Sequence, residues 1–397
     1  MNKPKKRLVH ILNHSTPNAD FSKKDYKIDI DDWHTIVCNE LKKELDDNCQ
    51  LECWRPEATI SKEININVGG IKYRIFPSIK IRNGLEISFP LLWAIFKTTF
   101  LYKTIVEIHG IHYFTSNLII ILSSKYGKVI AQHHGDTFRY NKQLSFFKKF
   151  IKKVLYIIDR QALINCDIIF FLNKFEKAYL VHANKNSKAF FSTMGVKDNL
   201  FKPSNMIENR NKLNLDKESK IILFTARYSL AKGIVELITS ISTLKNEIPN
   251  LKLIILGEGY ESAEKIKLLI DKLKINENII FGGQVSHELL PLYLNSSNLF
   301  CLPSYKEGFP VVCLEALSCN LKVISTTVGG LPDFKKTYGL IDLVKPKDIF
   351  ALTSQIRMAL NSNEELNSRR VIEKHFSWKS IVNRRKRLYR RLYDKHE

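Results

Sequence analysis

From Lys220 onward the chain alternates two patterns that belong to different elements. "KIILFTA" is a β-branched apolar run, and the residues after it put Ile234, Leu237, Ile238, Ile241 and Leu244 on one helical stripe. "LKLIILGEG", a charged helical segment over Ser262–Leu273, "NIIFGG", a helical segment around His287–Leu294, "NLFCLPS", the helical "PVVCLEALS" and "KVISTT" follow in turn. Strands that are apolar on both faces need cover on both. Helices of about ten to fifteen residues between them supply it, which means βαβ units on a parallel sheet.

The first half repeats the theme less regularly, with strands expected at "RLVHILNH", "CQLECWR", "IKYRIFP", "IVEIHG", "KVIAQHHG", "DIIFFLN" and "KAFFSTMG". A chain of 397 residues is too long for one ordinary core, so two α/β domains are expected. "VKDNLFKPSNMIENRNKLNLDKESK" is polar and without periodicity and reads as the link between them. The divisions that follow are 1–203, 204–375 and a closing basic amphipathic helix over 376–397, with Ile381, Leu388 and Leu392 on one side. No repeat of solenoid period is present.

Lysine and arginine number 62 against 40 acids, a net charge of +22, which predicts attraction to something anionic: nucleic acid, an acidic membrane or a phosphorylated ligand. Seven cysteines without a C-x-x-C pair argue against a disulfide scaffold and a structural zinc site, and fit a reducing cytoplasm. The start, "MNKPKKRLVHILNHSTPN", reads as a first strand and not as a signal peptide. "FPLLWAIFKTTFLY" and "LIIILSSKYGKVIAQ" are the most apolar stretches, and lysines interrupt both short of the ~20 residues a spanning helix needs.

The segment "KEGFPVVCLEALSCN" places Glu307 in a loop after a strand and Glu315 inside the next helix, with Pro310 suited to the first helical position. Helix N-termini beyond the carboxyl ends of parallel strands offer unpaired N–H groups and partial positive charge, so a phosphate is expected near Gly308, Phe309 and Val311. A carboxylate beside a phosphate makes sense where it binds neighbouring hydroxyls. Sugar and ribose supply them. "ARYSLAKG" sets Arg227 and Lys232 between a strand and a helix, where a guanidinium fork and an ammonium could hold a diphosphate. Gly257, Glu258 and Gly259 of "LGEGY", and Gly329 and Gly330 of "VGGLP", stand at strand ends. Each piece alone also reads as ordinary structure: a first-turn carboxylate, a solvated turn, turn glycines.

Together, "ARYSLAKG", "LGEG", "FGGQVSHELLPLYLNSSNLFCLPSYKEGFPVVCLEALSCNLKVISTTVGGLPDF" and "FSWKSIVNRRKRLY" resemble the glycosyltransferase family 4 group, also called glycosyl transferases group 1. The resemblance implies a GT-B fold: two Rossmann-like domains facing a cleft, an N-terminal acceptor domain, a C-terminal donor domain, and a last helix crossing back to the first. It implies a hexosyltransferase that works with retention and without metal or cofactor, the nucleotide-diphosphate sugar being a co-substrate and a glycan or lipid-linked sugar the acceptor. By position, Arg227 and Lys232 look like the diphosphate pair. Glu315 looks like the ribose carboxylate and Glu307 like the one near the transferred sugar, with Gly308–Val311 lining the sugar and phosphate site. "IAQHHGD" aligns His134 with a histidine that contacts the donor sugar, His133 being one residue away. "TMGVKDNLFKP" is similar to the family's interdomain pattern, with Met194 and Lys197 in place of Asn and Asp. The family's glycine-rich loop after the first strand is missing here. "NHSTPNADFSKKDYKIDIDDWHT" replaces it, and Asp32, Trp33 and His34 are candidates for an unusual acceptor pocket or for plain helix capping.

Over 143–164, Phe146, Phe147, Phe150, Ile151, Val154, Leu155 and Ile158 form one stripe, and Lys148, Lys149, Lys152 and Lys153 lie opposite. That pattern suits a helix lying on an anionic cytoplasmic leaflet or one docked on its own domain. A basic nucleic-acid-binding protein is the competing class, disfavoured because no binding motif appears. A sugar-nucleotide epimerase of the same fold is the other alternative.

Overall fold

The computed structural model describes residues 6–12, 33–45, 48–81, 85–134, 146–183, 188–226, 229–362, 364 and 366–394. Arg227, Asp32, Gly135 and 143–145 lie outside them, as do the side chains of Trp33, His34 and Phe146–Lys152. The chain divides into one unit of Met1–Ser192 with Val382–Glu397 and a second of Thr193–Ile381.

The second unit is built on six parallel strands in the spatial order Ile279–Gly283, Leu251–Leu256, Lys220–Thr225, Leu299–Leu302, Lys322–Thr326, Asp342–Val344. Numbered within the unit, that order is 3-2-1-4-5-6, the doubly wound arrangement. The centre is dry: Ile221 to Phe224, Leu253 to Leu256 and Leu299 to Leu302 are buried. Helices Ile234–Leu244, Tyr260–Leu273, Leu290–Ser296, Val311–Ser318 and Leu331–Tyr338 connect the strands, and Ile349–Asn361 follows the last of them. The helical stripe expected after the first strand is real, since Ile234, Leu237, Ile238, Ile241 and Leu244 are all buried.

The first unit has eight strands ordered Lys188–Phe191, Ile168–Phe171, Lys128–Gln132, Thr104–His109, Lys6–Leu12, Cys49–Glu57, Ile71–Pro77, Ile64–Val68, parallel except for the last. The seven strands expected here all form. Ile64–Val68 was not expected, because it is a mostly exposed edge strand with almost no apolar face to announce it. Helices Phe89–Leu101, Phe114–Ser123 and Phe146–Ile164 cover part of the sheet, and Val9, Trp54, Phe76, Ile95, Val106, Ile119 and Ile169 share its core.

The polar stretch expected as a link is folded. Asn205 caps the short helix Met206–Lys212, and buried Arg210 donates to the Ser296 carbonyl at 2.9 Å and the Asn298 side chain at 2.9 Å. A buried guanidinium satisfied by carbonyls leaves no apolar period to read. The closing helix is Trp378–Asp394. In the first unit its buried face carries Val382, Arg385, Tyr389, Leu392 and Tyr393, and Leu388 is only half-buried.

Candidate active site

In a doubly wound sheet the chain leaves neighbouring strands toward opposite faces at the switch point, opening a crevice at their carboxyl ends. In the second unit that point lies between Lys220–Thr225 and Leu299–Leu302. The loops that follow carry Lys232 and Glu307, and the fold brings them together: Lys232 Nζ donates to Glu307 Oε1 at 2.7 Å. Ser304 Oγ donates to the same oxygen, also at 2.7 Å. Both bonds end on Oε1, so Oε2 keeps acceptor capacity and the ammonium keeps two of its three donors.

Two glycines allow this close approach. Gly233 follows Lys232 at φ +72°, and a Cβ there would lie 1.9 Å from the Pro303 carbonyl oxygen. Gly329, at φ +55°, packs under the acidic loop, where a Cβ would lie 2.1 Å from the Gly308 carbonyl oxygen. Its neighbour Gly330 donates to that oxygen at 2.9 Å. Tyr305 ties the two loops, its N–H donating to the Ala231 carbonyl at 2.8 Å and its hydroxyl to Glu236. Burial, then the Glu236 carboxylate, pushes the Tyr305 phenol up to about 12, so it remains a donor.

Helix Val311–Ser318 begins directly after this loop, with Pro310 at the N-cap and not at the first helical position as expected from sequence. Proline offers no capping side chain, and no side chain caps this end. The Cys313 N–H is taken by the Pro310 carbonyl at 3.1 Å, which leaves the N–H groups of Val311 and Val312 to face an anion. Phe309 contributes only its backbone, because its ring is buried against Phe334 and Phe376 at 6.0 and 6.5 Å. Glu315, one turn in, is buried and accepts a 2.7 Å hydrogen bond from His287 Nε2. That bond is the main reason the His287 pKa is raised. Gly257 and exposed Glu258 sit at the carboxyl end of the adjacent strand, Gly257 N–H bonding the Gly283 carbonyl at 2.7 Å. Among the described residues no hydrogen bond joins them to the Lys232–Glu307 pair.

In the first unit His133 and His134 diverge, as consecutive residues of an extended chain must. His133 Nδ1 lies 3.0 Å from Glu176, and His134 Nε2 lies 3.3 Å from His109 Nδ1. His109 Nε2 in turn lies 3.1 Å from His10 Nδ1, and Glu107 stands 3.9 Å from His10 Nε2 and 3.6 Å from His109 Nε2. Arg385 and Tyr389 hold that buried carboxylate, Tyr389 donating at 2.6 Å. His10, Glu107 and His109 could in composition hold a metal ion. A guanidinium already bonded to the carboxylate opposes a second cation there.

Sequence reasoning missed Ser304, Tyr305, Glu236 and His287 around the acidic loop and His10, Glu107 and His109 behind His134. The histidine of "SHELL" and the serine and tyrosine of "PSYKEG" lay inside the stretches that carry the family resemblance, whereas His10, Glu107 and His109 lay inside "RLVHILNH" and "IVEIHG", which read only as strands.

Two doubly wound parallel sheets in one chain define the GT-B class of fold, and solved structures agree. Sucrose-phosphate synthase from Thermosynechococcus elongatus superposes with a TM-score of 0.69 at 20% identity, covering 98% of this chain and 100% of that one. Anabaena HepE in complex with UDP does so with a TM-score of 0.72 at 14% identity, covering 97% and 100%. By sequence, residues 205–375 of the second unit match the model for glycosyl transferases group 1. D-inositol 3-phosphate glycosyltransferase of Mycobacterium ulcerans is 28% identical over 207 residues, 50% of this chain and 44% of that protein. The putative teichuronic acid biosynthesis glycosyltransferase TuaC of Bacillus subtilis is 33% identical over 150 residues, 38% and 35% of the two chains. The matches span less than half the length of these relatives.

Proposed function

We propose that this chain is a retaining, metal-independent glycosyltransferase of family 4 that moves a hexose from a nucleotide-diphosphate sugar to a glycan or lipid-linked acceptor, in the synthesis of a cell-surface polysaccharide, glycolipid or glycoprotein glycan. The observation that carries the reading is the Lys232–Glu307–Ser304 cluster at the switch point of the second sheet, beside an uncapped helix N-terminus. Cation, carboxylate and free amides within one loop pair fit a ligand that has phosphates next to hydroxyls.

In this reading Lys232, Arg227 and the N–H groups over Gly308–Val311 take the diphosphate. Glu307 accepts from hydroxyls of the transferred sugar, Glu315 from the ribose, Gly257 and Glu258 border the nucleotide, and His134 contacts the donor sugar. The acceptor oxygen bonds to the anomeric carbon on the face from which the diphosphate leaves. The anomeric C–O pair departs with the nucleotide, the hydroxyl proton passes to a leaving phosphate oxygen, and Lys232 with the amides meets the developing charge. The glutamates are then not the acid and nucleophile of a hydrolase. Two relatives are named for work of this kind, TuaC for teichuronic acid biosynthesis and a Salmonella typhimurium enzyme as a lipopolysaccharide N-acetylglucosaminetransferase.

We place the protein in the cytoplasm, on the inner face of the cell membrane. Among the described residues no helix is long and apolar enough to cross a membrane. Helix Phe146–Ile164 keeps Val154, Tyr156 and Ile157 exposed, a face suited to lipid contact, while Asp159, Ala162 and Leu163 are buried among its described side chains.

Screening UDP-, GDP- and ADP-sugars for thermal stabilisation tests the donor site, since a ligand that binds only the folded state raises the melting temperature. Glu315→Ala should weaken the stabilising donor by roughly 1–3 kcal/mol. Unchanged donor affinity in that variant refutes the ribose assignment, and no stabilisation by any sugar nucleotide refutes the donor site.

A further inference from the structure

One strongly apolar helix of the first unit turns a row of its aromatic residues to solvent. In Phe89–Leu101, "FPLLWAIFKTTFL", the buried face is Leu91, Ala94, Ile95, Thr98 and Thr99. The outward stripe is Phe89, Trp93 and Phe100, 67%, 66% and 61% exposed, with half-buried Phe96 between them. Spacings of three and four put these rings on one face. An ordinary surface helix does the reverse, facing its polar residues outward. Here both threonines point inward, and the one charge, Lys97, is exposed. The rings are ordered against one another: Phe96 stacks on Trp93 at 5.8 Å and Phe100 at 6.2 Å, and Tyr126 meets Phe100 edge-on at 5.3 Å.

Next to the stripe lies a cavity of ≈ 380 Å³ whose wall includes Trp93 and Leu101 together with Arg7, Lys72, Arg74 and Lys97, against the single acid Glu63. Arg74 is paired to Glu63 at 2.8 Å and Arg7 to Glu52 at 2.9 Å, so the two arginines are held in place and the two lysines add positive charge. The helix ends at this cavity, and the negative end of its dipole would oppose an anion there. Thr104 offsets this, its hydroxyl donating to the Thr98 and Tyr102 carbonyls at 3.2 and 3.0 Å. Arg7 and Lys72 stand at the beginnings of their strands, so the cavity is at the edge of the sheet opposite the carboxyl ends that doubly wound folds use for substrates.

We propose that the Phe89–Phe100 stripe and the cationic cavity form one seat for an anionic lipid bilayer, the rings entering the headgroup boundary and the cavity receiving the phosphate of one lipid headgroup. Aromatic rings rimmed by cations are what that boundary favours. A second copy of the chain fits less well, because a two-fold contact through the stripe would set one cationic cavity near its twin. The seat uses different residues from helix Phe146–Ile164 and none from the donor site.

Flotation of the full chain with phosphatidylcholine vesicles, with and without phosphatidylserine, tests it. The wild type should float with the anionic vesicles and not with the neutral ones. Trp93→Glu with Phe100→Glu, and separately Lys72→Glu with Lys97→Glu, should each weaken that binding at least about tenfold. The melting temperature and its rise with donor should stay unchanged, and Trp93→Ala serves if the double glutamate fails to fold. A wild type that stays with soluble protein overturns the proposal. So does a stripe variant that floats normally, or one that only converts a dimer to a monomer in light scattering. Binding to both vesicle types, indifferent to the lysine changes, overturns the headgroup cavity. None of these outcomes touches the donor site, whose own test is the thermal shift with sugar nucleotides.

Discussion

At the scale of single residues, Glu315 holds His287 by a charge-assisted bond, and the His287 pKa is raised first by that bond. A raised histidine value means that protonation favours the fold. The contribution is complete below the ordinary histidine value of about 6.5 and disappears as the pH climbs through the raised one. Denaturant unfolding of the second unit should therefore show a small loss of stability from mildly acid to mildly alkaline pH, and His287→Gln should flatten it. An unchanged slope in the variant refutes the pairing. A second argument concerns His134. A row of neutral imidazoles bonded nitrogen to nitrogen has two polarities, and Glu107 selects one. Its charge favours hydrogen on Nε2 of His10 and His109, so His109 Nδ1 accepts from His134 Nε2 and the other nitrogen of His134 is an acceptor. His109 is then a positioning residue. His109→Gln should lower kcat roughly tenfold, as loss of an orienting partner commonly does, and move the acidic limb of the pH–rate profile with KM for the donor little changed. A drop in kcat with an unmoved pH profile means that His109 is merely structural.

At the scale of elements, the segments that sequence identifies are those whose own composition determines their state. The central strands of the second sheet, Lys220–Thr225, Leu251–Leu256 and Leu299–Leu302, are almost wholly apolar, so burial on both faces is written into each of them. Ile64–Val68 and helix Met206–Lys212 escaped because their partners determine them: a strand paired antiparallel to Ile71–Pro77, and a guanidinium held by Ser296 and Asn298. The candidate site divides the same way. Lys232, Glu307 and Glu315 stand out beside glycine and proline, whereas Ser304, Tyr305 and His287 acquire their roles from bonds that only the fold creates. Tyr305 reaches Glu236 across 69 positions of sequence, and Lys232 reaches Glu307 across 75. The element most exposed to a single change is the loop pair itself. Gly329→Ala puts a methyl group into the Gly308 carbonyl at a positive φ, with backbone and no flexible side chain in the way. The variant should lose about 2 kcal/mol or more, and donor binding should fall further than stability because the Gly308–Val311 amides shift. Calorimetry with and without the stabilising sugar nucleotide separates the two losses, and full donor affinity in Gly329→Ala would show that those amides do not hold the ligand.

At the scale of the whole chain, a doubly wound sheet occurs twice, and the second occurrence was the easier to read. Its strands and helices follow one another without interruption, while the first unit is completed only by residues from the far end of the sequence. Arg385 shows why a pattern alone does not reveal this. On the last helix it looks like one more exposed cation in "NRRKRLYRR", yet its side chain is 3% exposed and bonded to Glu107, 278 positions earlier, and also to Gln132 at 2.7 Å and Ser192 at 3.0 Å. A buried carboxylate in the middle of a sheet needs such a partner, because losing one member of a buried pair leaves the other charge uncompensated. Arg385→Met should therefore destabilise the first unit by about 3–5 kcal/mol. Adding Glu107→Gln should recover part of that loss, since the double variant no longer buries an unpaired charge. Hydrogen exchange read by segment places the effect. Protection should fall in Thr104–His109 and Lys128–Gln132, which carry Glu107 and Gln132, while Lys220–Thr225 and Leu299–Leu302 keep theirs. Equal loss in both sheets would mean that Arg385 supports the chain as a whole, and no recovery in the double variant would mean that the loss comes from packing and not from charge.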